Sequence, residues 1–190
     1  MKIIFIITLS ILIGSCASSK IENRIVNDLL RAELKKPSYS PYLNQEIILL
    51  KEAGKKSMPL IAYETLYNNR DEEQSSTWIL DSSAIENLKP RITNEALFWR
   101  AKEFENFPVI VVDAEANLLN FKTEKYRNTP EKLILTLSKP LKISPSQYLV
   151  YFYGRSSIWG GIDRQFVVVM NKSNDVWIPE TYYFIEDYFS

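Results

Sequence analysis

Carboxylates, lysines, hydroxyls and tyrosines are the side chains available here for acid–base or nucleophilic chemistry, because the 190 residues include no histidine and one cysteine. Without histidine there is no Ser-His or Cys-His catalysis, no histidine-ligated metal and no histidine pH switch. A lone cysteine excludes an internal disulfide and a thiolate cluster. What remains is a pair of acids of the kind that hydrolyses glycosides, where separation in space decides the mechanism. Asp81, Asp113, Glu115 and Asp163 lie beside apolar runs, and burial there raises a carboxyl pKa. Each also has a structural role: Asp81 as a helix N-cap, Asp113 and Glu115 as strand-end loop acids, Asp163 as an ion-pair partner of Arg155 or Arg164. No G-x-S-x-G, S-x-x-K, G-x-x-x-x-G-K-[ST] or G-x-G-x-x-G string is present, so hydrolase elbows and phosphate loops are not indicated. Arg70-Asp71-Glu72-Glu73 lacks the spacing of a calcium loop and reads as a solvated charge run. No metal or cofactor is expected.

Binding chemistry concentrates in one segment. Gly154-Arg155-Ser156-Ser157-Ile158-Trp159-Gly160-Gly161-Ile162-Asp163-Arg164 joins two apolar runs and holds three of the five glycines. It exceeds a tight hairpin loop of about two to five residues. An exposed indole and two guanidiniums suit a sugar ring, a carboxylate or a protein partner, which makes Arg155, Trp159, Asp163 and Arg164 the candidate binding residues. The alternative is a wide hairpin whose glycines satisfy positive φ while Trp159 folds back on the sheet. The chain has eleven Tyr, nine Phe and four Trp; these rings serve either as a glycan platform or as ordinary strand residues. Basic and acidic residues balance at 23 each, which leaves no field to draw in nucleic acid.

The first residues bear on where this chemistry is placed. Met1-Lys2 is a positive start, and Ile3 to Ile13 is apolar apart from Thr8 and Ser10. That run is shorter than the roughly 20 apolar residues of a spanning helix and matches a signal-peptide core. Ile13-Gly14-Ser15-Cys16 follows and resembles a bacterial lipobox. The resemblance implies that residues 1–15 are a lipoprotein signal peptide, that the Cys16 thiol receives a diacylglyceryl group, and that cleavage before Cys16 frees an amine for a further acyl chain such as palmitate. With each buried CH₂ contributing roughly 0.8 kcal/mol, two or more chains hold stably where one does not. The alternative for Cys16 is a free thiol in a cleaved secretory signal. Lys2 departs with the signal, so the mature chain carries one net negative charge.

Residues 16–18 form a short tether, reaching on the order of 10 Å at ~3.5 Å per extended residue. A single domain then occupies 19–190. Ser19-Lys20-Ile21-Glu22 fits a capping box, and Ile21, Ile25, Val26, Leu29, Leu30 and Leu34 share one helical stripe that Pro37 stops. The mixed polar face, Glu22, Arg24, Asp28, Arg31, Glu33 and Lys35, favours a core-facing helix over one lying on lipid. Glu46 to Leu50 reads as a short strand or a first helical turn. Ser57-Met58-Pro59 starts a helix that Asn68-Asn69 ends. Asp81, Ser82 and Ser83 offer N-caps for a brief helix closed by Lys89-Pro90. Thr93 caps another carrying Ala96, Leu97, Trp99, Ala101 and Phe104, and Val109 to Val112 is a strand.

The last third changes period. Leu133, Leu135 and Leu137 alternate with Ile134, Thr136 and Ser138. Tyr148 to Tyr153 and Phe166 to Met170 are apolar on both faces, as in central strands covered on both sides. Lys172-Ser173-Asn174-Asp175 reads as a hairpin turn into Val176-Trp177-Ile178, and Tyr182 to Ile185 as one more strand. The expected fold is α+β, with N-terminal helices packed on one face of a C-terminal antiparallel β-meander of four or five strands. At this length such a fold buries roughly 70% of its unfolded surface without a metal or disulfide.

The lipobox at Cys16, the Trp78-Ile79-Leu80-Asp81 segment, the Leu137-Ser138-Lys139-Pro140-Leu141 strand exit and the closing aliphatic strand, polar turn and Trp177 together resemble the short lipoproteins of flavobacteria and related Bacteroidota. The resemblance implies a lipid-anchored envelope protein and no particular activity. Ala17 after the cysteine, in place of Asp, resembles outer-membrane sorting in enteric bacteria. The resulting expectation is a non-enzymatic binding or assembly module meeting another envelope protein or a glycan. A glycan-acting hydrolase with paired carboxylates and a purely structural lipoprotein are the alternatives.

Overall fold

The computed structural model describes residues 19–42, 44–70, 78–92, 97–114, 131–157 and 161–185. Helix α1 covers 19–33 and buries Ile25, Val26, Leu29, Leu30 and, just past its end, Leu34. Ser19 is already helical, so it is not the N-cap expected of it. Ile21 is 42% exposed and drops out of the buried stripe. Pro37 does end α1, but it opens a 3-10 helix, Pro37–Tyr42, that turns Tyr39 and Tyr42 inward.

Seven strands form one sheet: β1 Ile47–Leu50, β2 Val109–Val112, β3 Leu133–Leu137, β4 Leu141–Ser144, β5 Gln147–Ser156, β6 Asp163–Ser173 and β7 Val176–Phe184. The order is β2-β1-β3-β5-β6-β7, with β4 also on β5. From β3 onward every pairing is antiparallel, as expected, though β4 does not pair with β3 and shares the same edge of β5. The sheet is larger than expected because β1 and β2 add a parallel edge. Tyr182 to Phe184 is the continuation of β7 past a register shift, not a separate strand. Glu180 is the extra residue there, beside Pro179; a proline and a bulge suit an edge strand. The β6–β7 turn places Asn174 at φ 47° and Asp175 at φ 63°. Two left-handed residues of these types make the two-residue hairpin turn.

The helices cover both faces, not one. Tyr148, Val150 and Phe152 of β5 and Phe166, Val168 and Met170 of β6 pack with α1 and the 3-10 helix. Leu149, Tyr151, Val167 and Val169 pack on the other side, against α2 (Ser57–Asn68) and α3 (Ser82–Leu88). Period-two alternation sends each strand's side chains to both faces, and two apolar faces require two covers. The chain between β1 and β2 supplies the second cover, and β1 and β2 run parallel, as a crossover requires. Asp81 caps α3, its carboxylate accepting from the Ala84 N–H at 2.8 Å. Trp78 stacks on Tyr183 with ring centroids 4.5 Å apart. The Leu80 N–H donates to Tyr63 Oη at 2.8 Å, which ties α2 to the start of α3.

The helix expected near Thr93 is not there among the described residues. Residues 97–100 carry no regular structure and Ala101–Glu103 is one 3-10 turn. Phe98 points out at 48% exposure while Trp99 is buried, which is an extended, alternating conformation. Tertiary contacts hold it. A Cβ on Gly54 would stand 2.2 Å from the Leu97 carbonyl oxygen, so only glycine lets this segment cross. Trp99 Nε1 donates to the Leu137 carbonyl at 2.6 Å. Asn27 of α1 donates to the Glu103 carbonyl at 2.8 Å and accepts from the Glu105 N–H at 2.7 Å.

Beneath this segment β3 gives way to β4. Both pair with the edge of β5 that faces away from β6. In the gap, Ser138 donates its N–H to the Tyr151 carbonyl at 3.1 Å, and its hydroxyl accepts from the Tyr151 N–H at 2.9 Å. Lys139 turns inward at 6% exposure. Its ammonium lies 3.3 Å from the buried Glu103 carboxylate and 3.4 Å from the Trp99 ring centroid. Burial pulls the Lys139 pKa down and Glu103 opposes that shift. Truncating one member strands the other's charge, so Glu103→Ala should destabilise the fold by about 3–5 kcal/mol. Pairing Glu103→Leu with Lys139→Met should cost less than the two changes summed. Urea titrations of the three variants decide this; strict additivity would mean the groups do not act as a pair.

Candidate functional site

The expected binding segment divides between two strands and a shorter loop. Gly154 to Ser156 end β5, Asp163 and Arg164 begin β6, and residues 157–162 alone connect them. Trp159 lies outside the described residues, as do Cys16 and Glu115. In register, Arg155 opposes Asp163 and Gly154 opposes Arg164. Arg155 and Asp163 therefore share the face that carries Tyr151 and Val167, toward α2 and α3. Arg164 lies on the α1 face with Phe166. The structure brings Arg155 and Asp163 together and puts Arg164 across the sheet from them. Among the described residues no ion pair joins Asp163 to either arginine.

Arg164 has aromatic and polar company. Its guanidinium carbon stands 5.5 Å from the Phe184 ring centroid. Nearby Tyr182 donates its hydroxyl to Glu33 at 2.6 Å, and Lys36 reaches the same carboxylate at 2.5 Å. Burial raises the phenol pKa of Tyr39 and of Tyr182, and the positive charge of Arg164 works against that rise at both. Glu33 is fully buried. Among the described residues, its Oε2 and the Tyr39 hydroxyl have no hydrogen-bond partner.

The base of the loop is held by Glu131, which the sequence reading did not single out. Its carboxylate accepts from Ser156 Oγ at 2.5 Å and from Tyr42 Oη. These two hydrogen bonds, Ser156 first, hold its pKa below the ordinary carboxylate value, because they favour the charged form. The Ser157 N–H donates to the Lys132 carbonyl at 2.8 Å, and Ser157 Oγ accepts from the Lys132 N–H at 2.8 Å. Gly161 crosses directly above. A Cβ there would stand 2.2 Å from the Ser156 Cβ and 2.4 Å from Glu131 Oε1. A fixed carboxylate, two hydroxyls and guanidiniums on both sheet faces make an end suited to hydrogen-bonding and charge recognition. Nothing local in Thr129-Pro130-Glu131-Lys132 marks Glu131 out; only the β3–β5 register brings it to Ser156.

The same geometry bears on carboxylate pairing. Asp81 is occupied as a helix cap. Asp113 follows β2 and pairs with Lys51 at 3.1 Å. Asp163 begins β6, four strand spacings from β2, or about 19 Å, well beyond the roughly 5–9.5 Å between glycosidase acids. Glu131 is pushed toward the ionised form, the wrong direction for a proton donor. Among the described residues no group of three acids or cysteines forms a metal cluster, and no helix is long and apolar enough to cross a membrane. Comparison with family models, with curated proteins and with solved structures found no match.

The Glu131 bonds have a pH signature. A carboxylate whose folded pKa is depressed contributes stability above its ordinary value of 4.5 and loses it as pH falls through the lower folded value. Amide exchange at Ser156, Ser157 and Ile162 should therefore accelerate on acidification ahead of the central strands, and should already be fast at neutral pH in Glu131→Gln. Protection at these amides that is unchanged down to global acid unfolding would remove Glu131 as the clasp.

Proposed function

We propose that this chain is a lipid-anchored bacterial envelope lipoprotein, held through Cys16, most fittingly in the outer membrane, and that it acts as a non-enzymatic binding module. Its partner is another envelope protein or a glycan, met at the sheet end that carries Arg155, Asp163 and Arg164 and the loop containing Trp159. The sequence support is Ile13-Gly14-Ser15-Cys16 behind a short apolar core.

The observation that carries the reading is the placement of α1 relative to that end. Residue 19 is already helical, only three positions after Cys16. Asp28 of α1 accepts from the Trp177 N–H at 3.1 Å and Glu33 accepts from Tyr182, so α1 runs in the direction of β7. Its first turn therefore lies at the end of the sheet with the β6–β7 turn. The β5–β6 end is opposite, separated by the ten residues of β5, about 30 Å at a rise of roughly 3.3 Å per residue. A tether at Cys16 turns the arginine-bearing end away from the bilayer, where a partner meets it.

Two experiments test the two parts. Cys16→Ala should abolish palmitate labelling and release the protein from membranes or leave it unprocessed; a variant still processed and labelled would sink the anchor. Arg155→Ala with Trp159→Ala should abolish recovery of a crosslinked partner from the native envelope while leaving the circular dichroism unchanged. Undiminished recovery would move the binding site elsewhere.

A further inference from the structure

The end of the sheet opposite the candidate site has a composition of its own. The β4–β5 and β6–β7 turns lie side by side there, Lys172 donating its N–H to the Ser146 carbonyl at 2.8 Å. Arg24 of α1 donates to the Asp175 carbonyl, which sets the first turn of α1 against the same tip. Ile21 lies one turn before Arg24 on that side of the helix. Three aliphatic side chains stay exposed at this end: Ile21 at 42%, Val176 at 47% and Ile178 at 48%. Val176 and Ile178 oppose Ser173 and Asn171, on the face away from α1, and neither belongs to a core cluster.

Charge at this end is lopsided. Three acids have cations beside them, Asp175 with Lys172 at 2.9 Å, Glu22 with Lys56 at 2.6 Å and Asp28 with Arg31, while Glu180, two residues past Ile178, is exposed on β7. The exposed side chains Lys20 and Lys142 come in addition, the first on α1 and the second on β4, opposite Tyr148. At this tip Val176 and Ile178 lie on one side of the sheet and Lys142 and Lys172 on the α1 side, so an end-on approach brings both to a headgroup layer: the apolar groups enter the acyl boundary and the ammoniums meet anionic phosphates. The span available to the tether, on the order of 10 Å from Cys16 to residue 19, leaves this end no other neighbour when the cysteine is acylated.

We propose that this end, through Lys20, Ile21, Lys142, Lys172, Val176 and Ile178, docks on an anionic bilayer surface and fixes the orientation of the domain. The proposal rests on the anchor at Cys16 and adds to it a defined resting pose. An anchored domain without such a face tumbles on its tether; this one stands with β5 pointing away from the lipid.

The full lipidated chain suits the test, since acylation consumes the one native thiol and leaves an introduced cysteine free to be labelled. Val176→Cys and, as the far-end reporter, Asp163→Cys carry a nitroxide in vesicles of phosphatidylethanolamine and phosphatidylglycerol. Docking predicts that the label at 176 is reached by dissolved oxygen and shielded from an aqueous nickel chelate, while the label at 163 shows the reverse. Adding Ile178→Glu and Lys172→Glu should return the label at 176 to nickel, with the protein still co-floating with the vesicles. Co-flotation with both labels equally open to nickel would overturn the docking face and leave the anchor standing. A label at 176 shielded from both reagents would overturn it in favour of contact with a second copy of the chain. Failure of the protein to co-float would bring down the anchor and the docking face with it.

Discussion

Two strands in this molecule have no polar face. Tyr148 to Phe152 and Phe166 to Met170 are buried on both sides, and fully burying a large aliphatic or aromatic side chain contributes about 1.5–3 kcal/mol. Neither face of β5 or β6 can be left to water without forfeiting several such terms. The rest of the chain is arranged to satisfy this. The N-terminal helix covers one face. The other must be covered by chain that crosses to the opposite side, and it does so between β1 and β2, through α2 and α3. The parallel pairing of β1 with β2 and β3 follows from that crossing, because antiparallel neighbours are joined by a hairpin and parallel ones by a longer excursion.

Covers built from separate segments must be fixed to one another, and the polar groups in the interior do that. Lys139, Glu103, Trp99 and Asn27 meet where β3 breaks, where the irregular segment after Leu97 lies down, and where α1 passes. Apolar packing alone leaves room for alternative arrangements of such elements. A buried ammonium with one carboxylate within 3.3 Å does not, since any displacement exposes an uncompensated charge to a low dielectric. The pair therefore does more to select one arrangement than to add net stability.

Local signals were legible in the sequence and long-range ones were not. Asp81 as an N-cap, the start of α2 at Ser57-Met58-Pro59 and the turn at Asn174-Asp175 depend on a few neighbouring residues and appear where expected. Double-sided burial of β5 and β6 was also legible, and taken at its word it forbids helices on only one face. The segment through Trp99 read as a helix because Ala96, Leu97, Trp99, Ala101 and Phe104 fall at helical spacing. Gly54, more than forty residues earlier, and a carbonyl on β3 decide its conformation instead, and no window of sequence contains them. At the candidate site, Asp163 and Arg164 are consecutive strand residues and so point to opposite faces. Treating them as one surface overlooked the period of two that the strand already declared. Glu131 was invisible for the opposite reason: it becomes a site residue only through its register with Ser156.

The chemistry of the two sheet ends differs in a way that strand direction alone can deliver. One end joins a fixed, ionised carboxylate, hydroxyls and arginines, groups that make directional hydrogen bonds. The other offers exposed aliphatic side chains on one sheet face and lysines on the other, groups that favour an interface without selecting a partner geometry. Arginine's planar fork and lysine's point charge suit these tasks respectively. Because α1 runs in the direction of β7 and β7 is antiparallel to β6, the first turn of α1 is held at the lysine end and the directional groups lie at the far one. A slip of α1 by one turn along the sheet would pull Asp28 from Trp177 and Glu33 from Tyr182, two contacts spaced five residues apart on both elements. Two such contacts keep the helix, and with it the direction in which the arginine end points, in a single register.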